Sequence, residues 1–507
     1  MIDRYSIVTL VFFAISIYFV IAPLSFPIPL ARRLFKRPIR IRIDLITAPL
    51  AAVCILWASG CIDSTVVRDG IVGTDGIKPY NILILFFSLA YMAVSLDLTG
   101  VLQAAAFWVS NKGGSNGWRL FLYFYLMLTA FSIVVGNDPV ILSGTAFLVY
   151  YTKVTEVSHI SWLFSEFAAA NTASMVLFVG NPTNVVICEG FGIHNIAFTA
   201  YSFAPFVACS VFCYFALAVQ FRKDKYIPRR LPDIGKLDPR SVLLDPTGAW
   251  VGSLLLGACL VLIMGISFID VDVWEISLPF ALAKFAFDIA WDIFRYKRGT
   301  LAPQAVLGAG SGQPGGSSSR GRLRPIRTWF EERIPTFMTA LPRLPFALVP
   351  FAFCQFILVE GLAFRGWIDV FAHWLTRASR GGQPYAVIWL VGVLGVLLCN
   401  LSGTNIGATI LLTKVVRAAG LSQRATIAGA IALTVASNIG AVSFTFSASL
   451  AGLLWRAILK QKGITMSQRE FAMWNILPVT VMTVAGLGVA CAEMAVIIRA
   501  GLAGVNE

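Results

Sequence analysis

The chain has 507 residues, 57% of them hydrophobic and only 13% charged, with a formal net charge of +14. Ordinary soluble domains carry about 25% charged residues, so this composition excludes a soluble globular enzyme and points to long uncharged membrane spans. The basic excess falls mostly between apolar runs and forms no basic face with interleaved aromatics, which excludes a nucleic-acid partner.

Runs of about 20 apolar residues cross the hydrocarbon core as helices, which satisfy their own backbone groups in lipid. In chain order such spans are predicted at 6–30, 44–61, 80–97, 161–190, 197–221, 249–269, 275–294, 344–362, 421–460 and 471–499. Two further apolar stretches, 120–152 and 384–416, are interrupted in the middle. The first run is longer than a signal-peptide core and Arg4 is balanced by Asp3, so it reads as a span. The expected class is an all-α integral membrane protein with about ten (ten to twelve) transmembrane helices.

Lysine and arginine concentrate in segments 32–43, 222–248 and 295–343. All three are expected on the cytoplasmic side, and segments 191–196 and 270–274, with neither residue, on the other. The two sets alternate if 120–152 and 384–416 are re-entrant hairpins that return to their own side. Ala309–Ser319, AGSGQPGGSSS, reads as a flexible segment within the third basic loop. The nine cysteines form no CxxC and lie mostly in apolar runs, so they read as small buried residues.

The halves 1–221 and 249–507, joined by the loop 222–248, resemble each other weakly and in order. Each has a span ending near an acid and a glycine (Asp97 and Gly100, then Glu360 and Gly361), an interrupted stretch, and a span broken at a polar centre. Asn137 and Asn171 are 34 residues apart, Asn405 and Asn438 33. The register of the hairpin match is open, because the SGT triplets at 143–145 and 402–404 align differently from the asparagines. Five spans and a hairpin per half put the halves in opposite orientation. That is the inverted-repeat logic of secondary transporters, whose sites lie at midplane between discontinuous helices.

Gly136-Asn137-Asp138-Pro139 must turn between two apolar helices, because Pro139 lacks an N–H and disfavours helix before it. Non-helical backbone at that depth is tolerated where it lines a cavity, and an intramembrane Asp138 is costly unless functional or paired. The alternative is an interfacial loop with Asp138 as an ordinary helix cap. Gly180-Asn181-Pro182-Thr183-Asn184 breaks the next span in the same way. Asn171 stands upstream of it; Thr172 and Ser174 beside it fit interhelical hydrogen bonding. The second half offers Ser402, Thr404 and Asn405 at its tip, and Asn438, Thr445 and Ser447 around its break. Asp97 and Glu360 are candidates for ion coupling or for structural carboxylates. Glu166 reads as a partner for a neighbouring helix. His159, His194 and His373 lie apart, and no HExxH or P-loop is present. The GGSNG at 113–117 matches GxSxG in a polar loop by chance. No enzyme and no resident cofactor or metal are expected.

GNDPVILSGTAFLV followed by FAAANTASMVLFVGNPTN, then NLSGTNIGATILL and ASNIGAVSFTFSASLAGLLW, resembles the arsenite permease and citrate-transporter-like families of the ion transporter superfamily, over most of the chain from about Asp44. The resemblance implies an inverted-repeat scaffold with a mobile transport domain, often dimeric in relatives, in which hairpin tips and helix breaks hold solute and coupling ions. Asn137 with Asp138 then takes the first tip, Asn181 and Thr183 the first break, Thr404 with Asn405 the second tip, and Thr445 with Ser447 the second break. A coupling Na+ would sit at Asn137, Asn181 and Asn405; a coupling H+ would use Asp138. Dicarboxylate members show Ser-Asn-Thr tips and Thr-Pro-Pro breaks. Gly-Asn-Asp at one tip and no proline at the second break point instead to a small inorganic anion or metalloid oxyanion. The expectation is a secondary active transporter, H+- or Na+-coupled, working by alternating access. Its rivals are a Na+/H+ antiporter on the same scaffold, a citrate or dicarboxylate carrier, and a non-transporting membrane scaffold or receptor.

Overall fold

A computed structural model describes residues 2–27, 40–232, 235–266, 271–301 and 324–499. The Gly/Ser-rich segment 309–319 lies outside the described residues, as do Arg32, Arg33, Lys36, Arg37, Arg320 and Arg322. The described residues are mostly helical, with one two-stranded antiparallel ribbon among them, β1 (Leu24–Pro27) against β2 (Arg40–Ile43).

The first half runs α1 (Arg4–Ile21), α2 (Thr47–Ala58), α3 (Ser64–Val72), α4 (Pro79–Leu98), α5 (Val101–Gly113), α6 (Gly117–Val135), α7 (Asn137–Val154), α8 (His159–Ala173), α9 (Pro182–Phe191) and α10 (Asn195–Gln220). The second runs α11 (Pro246–Gly265), α12 (Val273–Arg298), α13 (Arg324–Arg333), α14 (Pro335–Ala340), α15 (Leu348–Phe364), α16 (Trp367–Ala378), α17 (Pro384–Leu401), α18 (Asn405–Ala418), α19 (Gln423–Gly440), α20 (Leu450–Gln461) and α21 (Gln468–Arg499). Pro79, Pro182, Pro246, Pro335 and Pro384 open helices, where a missing N–H costs nothing.

Among the described residues, eight stretches are long and apolar enough to cross a membrane: α1, α4, α6, α10, α11, Pro335–Phe364, α17 and α21. The protein is an integral membrane protein. Three of the expected spans differ in detail. The first ends at Ile21, because the chain turns into β1. The second is the 12-residue α2, about 18 Å long and too short to cross alone. The seventh lies in α12, which carries Lys284, Asp288 and Asp292 at its centre. The two long broken spans resolve into α8 with α9 and α19 with α20, and α6 and α17 are arms of the two hairpins.

The succession α4 to α10 recurs as α15 to α21. In each, a long helix ends at a left-handed glycine, Gly100 (φ +89°) or Gly366 (φ +77°), and a 12- or 13-residue helix follows. Gly366, not Gly361, is therefore the counterpart of Gly100. Each then has a two-armed hairpin, a helix that stops at 173 or 440, one turn of 3-10 helix (Phe178–Gly180, Phe446–Ala448), a short helix and a long closing helix. Asn137 and Asn405 each begin the second hairpin arm, so the asparagines set the register. The first SGT triplet sits mid-helix in α7, whereas the second lies at its tip.

The hairpins open to opposite ends of the bundle. The base of the first is tied to the 222–248 segment, with Leu231 N donating to Ser115 O at 2.8 Å and Gly117 N to Arg229 O at 3.4 Å. A Cβ on Gly117 would stand 2.0 Å from Pro228 O, so only glycine permits that approach. The base of the second faces the other end, where Arg417 Nη1 donates to Gly190 O at 2.7 Å. Between them an aromatic block of Phe164, Phe167, Phe446, Trp455 and Phe471 packs α8, α20 and α21 together.

A buried charge network holds α12 against its neighbours. Lys284, 1% exposed, pairs with Asp288 and donates to Ser95 Oγ at 2.6 Å; Tyr91 Oη donates to Asp288 at 2.9 Å. Gly252 makes room, since a Cβ there would meet Lys284 Cε at 3.1 Å. Further along α12, Arg295 bonds Asp292 at 2.7 Å and lies 3.3 Å from Asp245, and Thr336 N caps Asp292 at 2.8 Å. Removing one partner of a buried pair strands the other. Lys284→Met is therefore expected to lower stability by roughly 3–5 kcal/mol, and Lys284→Met/Asp288→Leu to recover most of it. Thermal midpoints of both variants in detergent check this.

Candidate functional site

The first hairpin turns at Gly136 (φ +89°), and α7 starts at once with Asn137 and Asp138 in its first turn. Asn137 Nδ2 donates to Asn171 Oδ1 of α8 at 3.2 Å, and Asn171 Nδ2 donates back to Phe167 O at 2.8 Å. This fastens the tip to α8 just before α8 stops. Asp138 is half-buried and has no hydrogen-bond or ion-pair partner among the described residues.

After α8 the chain runs irregularly to Asn181, the N-cap of α9, whose Oδ1 accepts from Thr183 N at 3.3 Å. Thr183 Oγ1 is buried and has no hydrogen-bond partner among the described residues. The freed carbonyls of the break are taken up by Asn184, which donates to Ser174 O at 2.8 Å and Leu177 O at 2.9 Å. Asn438 of α19 joins the halves. Its Oδ1 accepts from Ser174 Oγ at 3.0 Å and Asn181 Nδ2 at 3.4 Å, and its Nδ2 donates to Asn184 Oδ1 at 2.9 Å.

At the second tip Thr404 caps α18, accepting from Gly407 N at 3.3 Å, and Asn405 Nδ2 donates to Ser437 O at 3.3 Å. Ser402 spends its hydroxyl on Leu398 O and Thr404 O. The second break departs from the expected assignment. Thr445 Oγ1 bonds Asn400 Oδ1 at 3.1 Å and Ser447 Oγ reaches Thr445 at 3.4 Å, so both brace the turn. Ser449 is the N-cap of α20, accepting from Gly452 N at 3.0 Å, and stands where Asn181 stands in the first half. Asn400, which also accepts from Phe444 N and Thr445 N, has no counterpart signal in the expected motif.

One small cavity, about 20 Å³, is lined by Asn137 and Asp138 of α7, Asn181 and Pro182 of α9, Asn405 and Ile406 of α18, and Ser449 to Ala451 of α20. Four helix N-termini thus face one point. Each presents the partial positive charge of a helix start, an arrangement suited to an anion, with Asp138 the single carboxylate among the lining residues. The space holds little more than one water, so a larger solute requires the tips to separate. Asn171, Asn438, Thr183, Thr404 and Ser402 support this cavity without lining it, and Thr445 and Ser447 lie behind it.

Asp97 and Glu360 lie away from the tips, each in an ion pair. Asp97 Oδ2 is 3.4 Å from Arg343 Nη1 and accepts from Ser143 of α7. Glu360 is 2.7 Å from Lys414 of α18 and accepts from Thr74 at 3.0 Å. Glu166, fully buried, accepts from Thr145 of α7 at 2.9 Å, as a helix–helix contact would.

Asn438→Ala leaves Asn181 Nδ2 and Asn184 Oδ1 as buried unmatched groups, while Ser174 Oγ keeps Asn171 O at 2.7 Å. It is expected to cost roughly 1–3 kcal/mol, read as a lower thermal midpoint.

The chain is similar to several known membrane proteins. An Arsenical pump membrane protein of Escherichia coli is 25% identical over 423 residues, 80% of this chain and 86% of that protein. One from Yersinia enterocolitica is 24% identical over 446 residues, 85% of this chain and 92% of that protein. The crystal structure of the Alcanivorax borkumensis YdaH transporter aligns over 98% of both chains with a TM-score of 0.49 and 13% identity. The Citrate transporter family model matches residues 34–296, just over half of the chain. This chain therefore belongs to the citrate transporter family.

Proposed function

We propose that the protein is a secondary active transporter of a small anion or metalloid oxyanion, working by alternating access and coupled to H+ or Na+. The observation that carries this is the cavity at which four helix N-termini and Asp138 meet. The helix ends favour a negative solute; the carboxylate opposes it. Both occupy the cavity together only if Asp138 is neutralised by a proton or a small cation, and that requirement is a coupling mechanism. The 24–25% identity to proteins named as arsenical pump membrane proteins supports a metalloid oxyanion among the candidate solutes.

The chain divides, on this reading, into inverted repeats 1–221 and 249–507 joined by 222–248. The basic segments 32–43, 222–248 and 295–343 face the cytoplasm. The first hairpin then opens from the cytoplasm and the second from outside. Movement of the two tips past the flanking helices exposes the cavity to each side in turn. Asn137, Asn181, Asn405 and Ser449 shape the site and Asp138 takes the coupling ion.

Uptake into proteoliposomes under an imposed pH or Na+ gradient tests this, with arsenite, phosphate, sulfate, silicic acid and citrate as solutes. One solute is expected to accumulate under one gradient. Asp138→Asn is expected to reduce that uptake to the level of empty vesicles while the folded yield stays unchanged. Full gradient-driven uptake by Asp138→Asn would remove Asp138 from the coupling role.

A further inference from the structure

Two buried polar side chains beside the hairpin tips have no hydrogen-bond partner among the described residues. One is Thr183, in the first turn of α9. The other is Gln355 of α15, 0% exposed, with both Oε1 and Nε2 unmatched. Buried amides are ordinarily bonded, and one left bare among apolar groups is costly. Packing alone gives no reason for it.

The position of Gln355 supplies one. α15 and α18 run side by side in the same direction: Glu360 meets Lys414 towards their far ends, and Gln355 meets Gly407 in the first turn of α18. A Cβ on Gly407 would stand 3.1 Å from Gln355 Oε1, so the glycine leaves room for the carboxamide. Asn405 and Ile406, the two residues before Gly407, line the central cavity. Gln355 thus stands level with the tips, against the start of α18, on a helix that is not one of the four broken ends. The repeat does not require an amide there. Counting eleven residues back from Gly366 gives Gln355, and from Gly100 gives Leu89.

A solute larger than water enters only when the tips separate, and the volume it then takes adjoins the start of α18. A carboxamide there offers two N–H donors and a carbonyl acceptor in one plane. The donors suit an oxygen of an oxyanion, as the helix N-termini do. The carbonyl suits only a solute that brings a donor of its own, an O–H group; before a bare oxyanion it stays unmatched. The Thr183 hydroxyl, which donates or accepts, imposes no such choice.

We propose that Gln355 is a solute-contacting residue of the transport site, and that it selects oxyacids that retain a hydroxyl, such as hydrogen phosphate or arsenous acid, over fully deprotonated ones such as sulfate. The proposal rests on the transport reading above and narrows its solute class.

The test uses the full-length protein. Phosphate and sulfate are alike in shape and differ in the hydroxyl, so their binding to detergent-solubilised protein is compared by calorimetry. Proteoliposome uptake is measured for both and for arsenous acid. Wild-type protein is expected to bind phosphate more tightly than sulfate. Gln355→Met, which matches the side chain in length and removes the amide, is expected to weaken phosphate binding about tenfold and to raise KM for phosphate and arsenous acid by the same factor, the worth of about one hydrogen bond. Its thermal midpoint without solute should stay or rise, because an unmatched buried amide has been removed. A midpoint that falls would show the amide bonded within the folded chain, and would overturn the proposal. Sulfate binding as tight as phosphate binding overturns it too, as does wild-type protein that neither binds phosphate nor takes up arsenous acid. If Gln355→Met does not fold, Gln355→Asn decides: it keeps the amide but draws it back by one methylene, and an unchanged KM overturns the contact. Phosphate binding that needs Gln355 in a protein that moves no probe would sink the transport reading and leave the contact standing. Uptake of arsenous acid or phosphate with the same KM in wild type and Gln355→Met does the opposite.

Discussion

Four helices begin inside the bundle rather than at its surface, and their exposed N–H groups must be satisfied where little water reaches. Most of the polar chemistry of this protein answers that demand. Asn181 and Ser449 cap α9 and α20, Thr404 caps α18, and Asn137 fastens the uncapped start of α7 to α8 through Asn171. Asn184 and Asn400 absorb backbone groups released by the breaks. In lipid an unmatched backbone group costs several kcal/mol. Each break is therefore affordable only with its amide or hydroxyl, and the concentration of partial positive charge at the cavity follows from the way the breaks face each other.

Asn438 has a different weight from the other amides. It receives from two residues of the first break and donates to a third, so the two halves share one hydrogen-bonded hub. The pseudo-symmetric partner, Asn171, serves its own tip instead. The repeat is thus architectural, not chemical: equivalent backbone positions carry different side chains, and only the first tip has a carboxylate. A site with one carboxylate among four helix N-termini is asymmetric in charge, and this asymmetry gives a counter-cation something to do.

The hairpins, the breaks and the repeat were legible because they rest on local rules. Proline forbids continued helix, glycine permits a turn, and an amide beside them in an apolar run marks a cap. The exchange of Thr445 and Ser447 for Ser449 shows where local rules end. The segment from Ser443 to Ser449 offers a hydroxyl at nearly every second position, and without a proline nothing in the chain says which of them begins α20. The same holds for the Lys284–Asp288 pair and its neighbours on α12. Within a run expected to be a span they have no visible partners, because Tyr91, Ser95, Asp245 and Thr336 lie between 44 and 197 residues away in sequence.

The sequence by itself determined that the chain is helical and membrane-embedded, that it is built from two related halves, and that its helices break at Asn137, Asn181 and Asn405, because hydropathy, proline and glycine act over a few residues. Only the tertiary structure decided that the four broken ends meet at one cavity with Asp138, and that Asn438 joins the halves. Those facts depend on which helix faces which across hundreds of residues, and packing, not local preference, sets that.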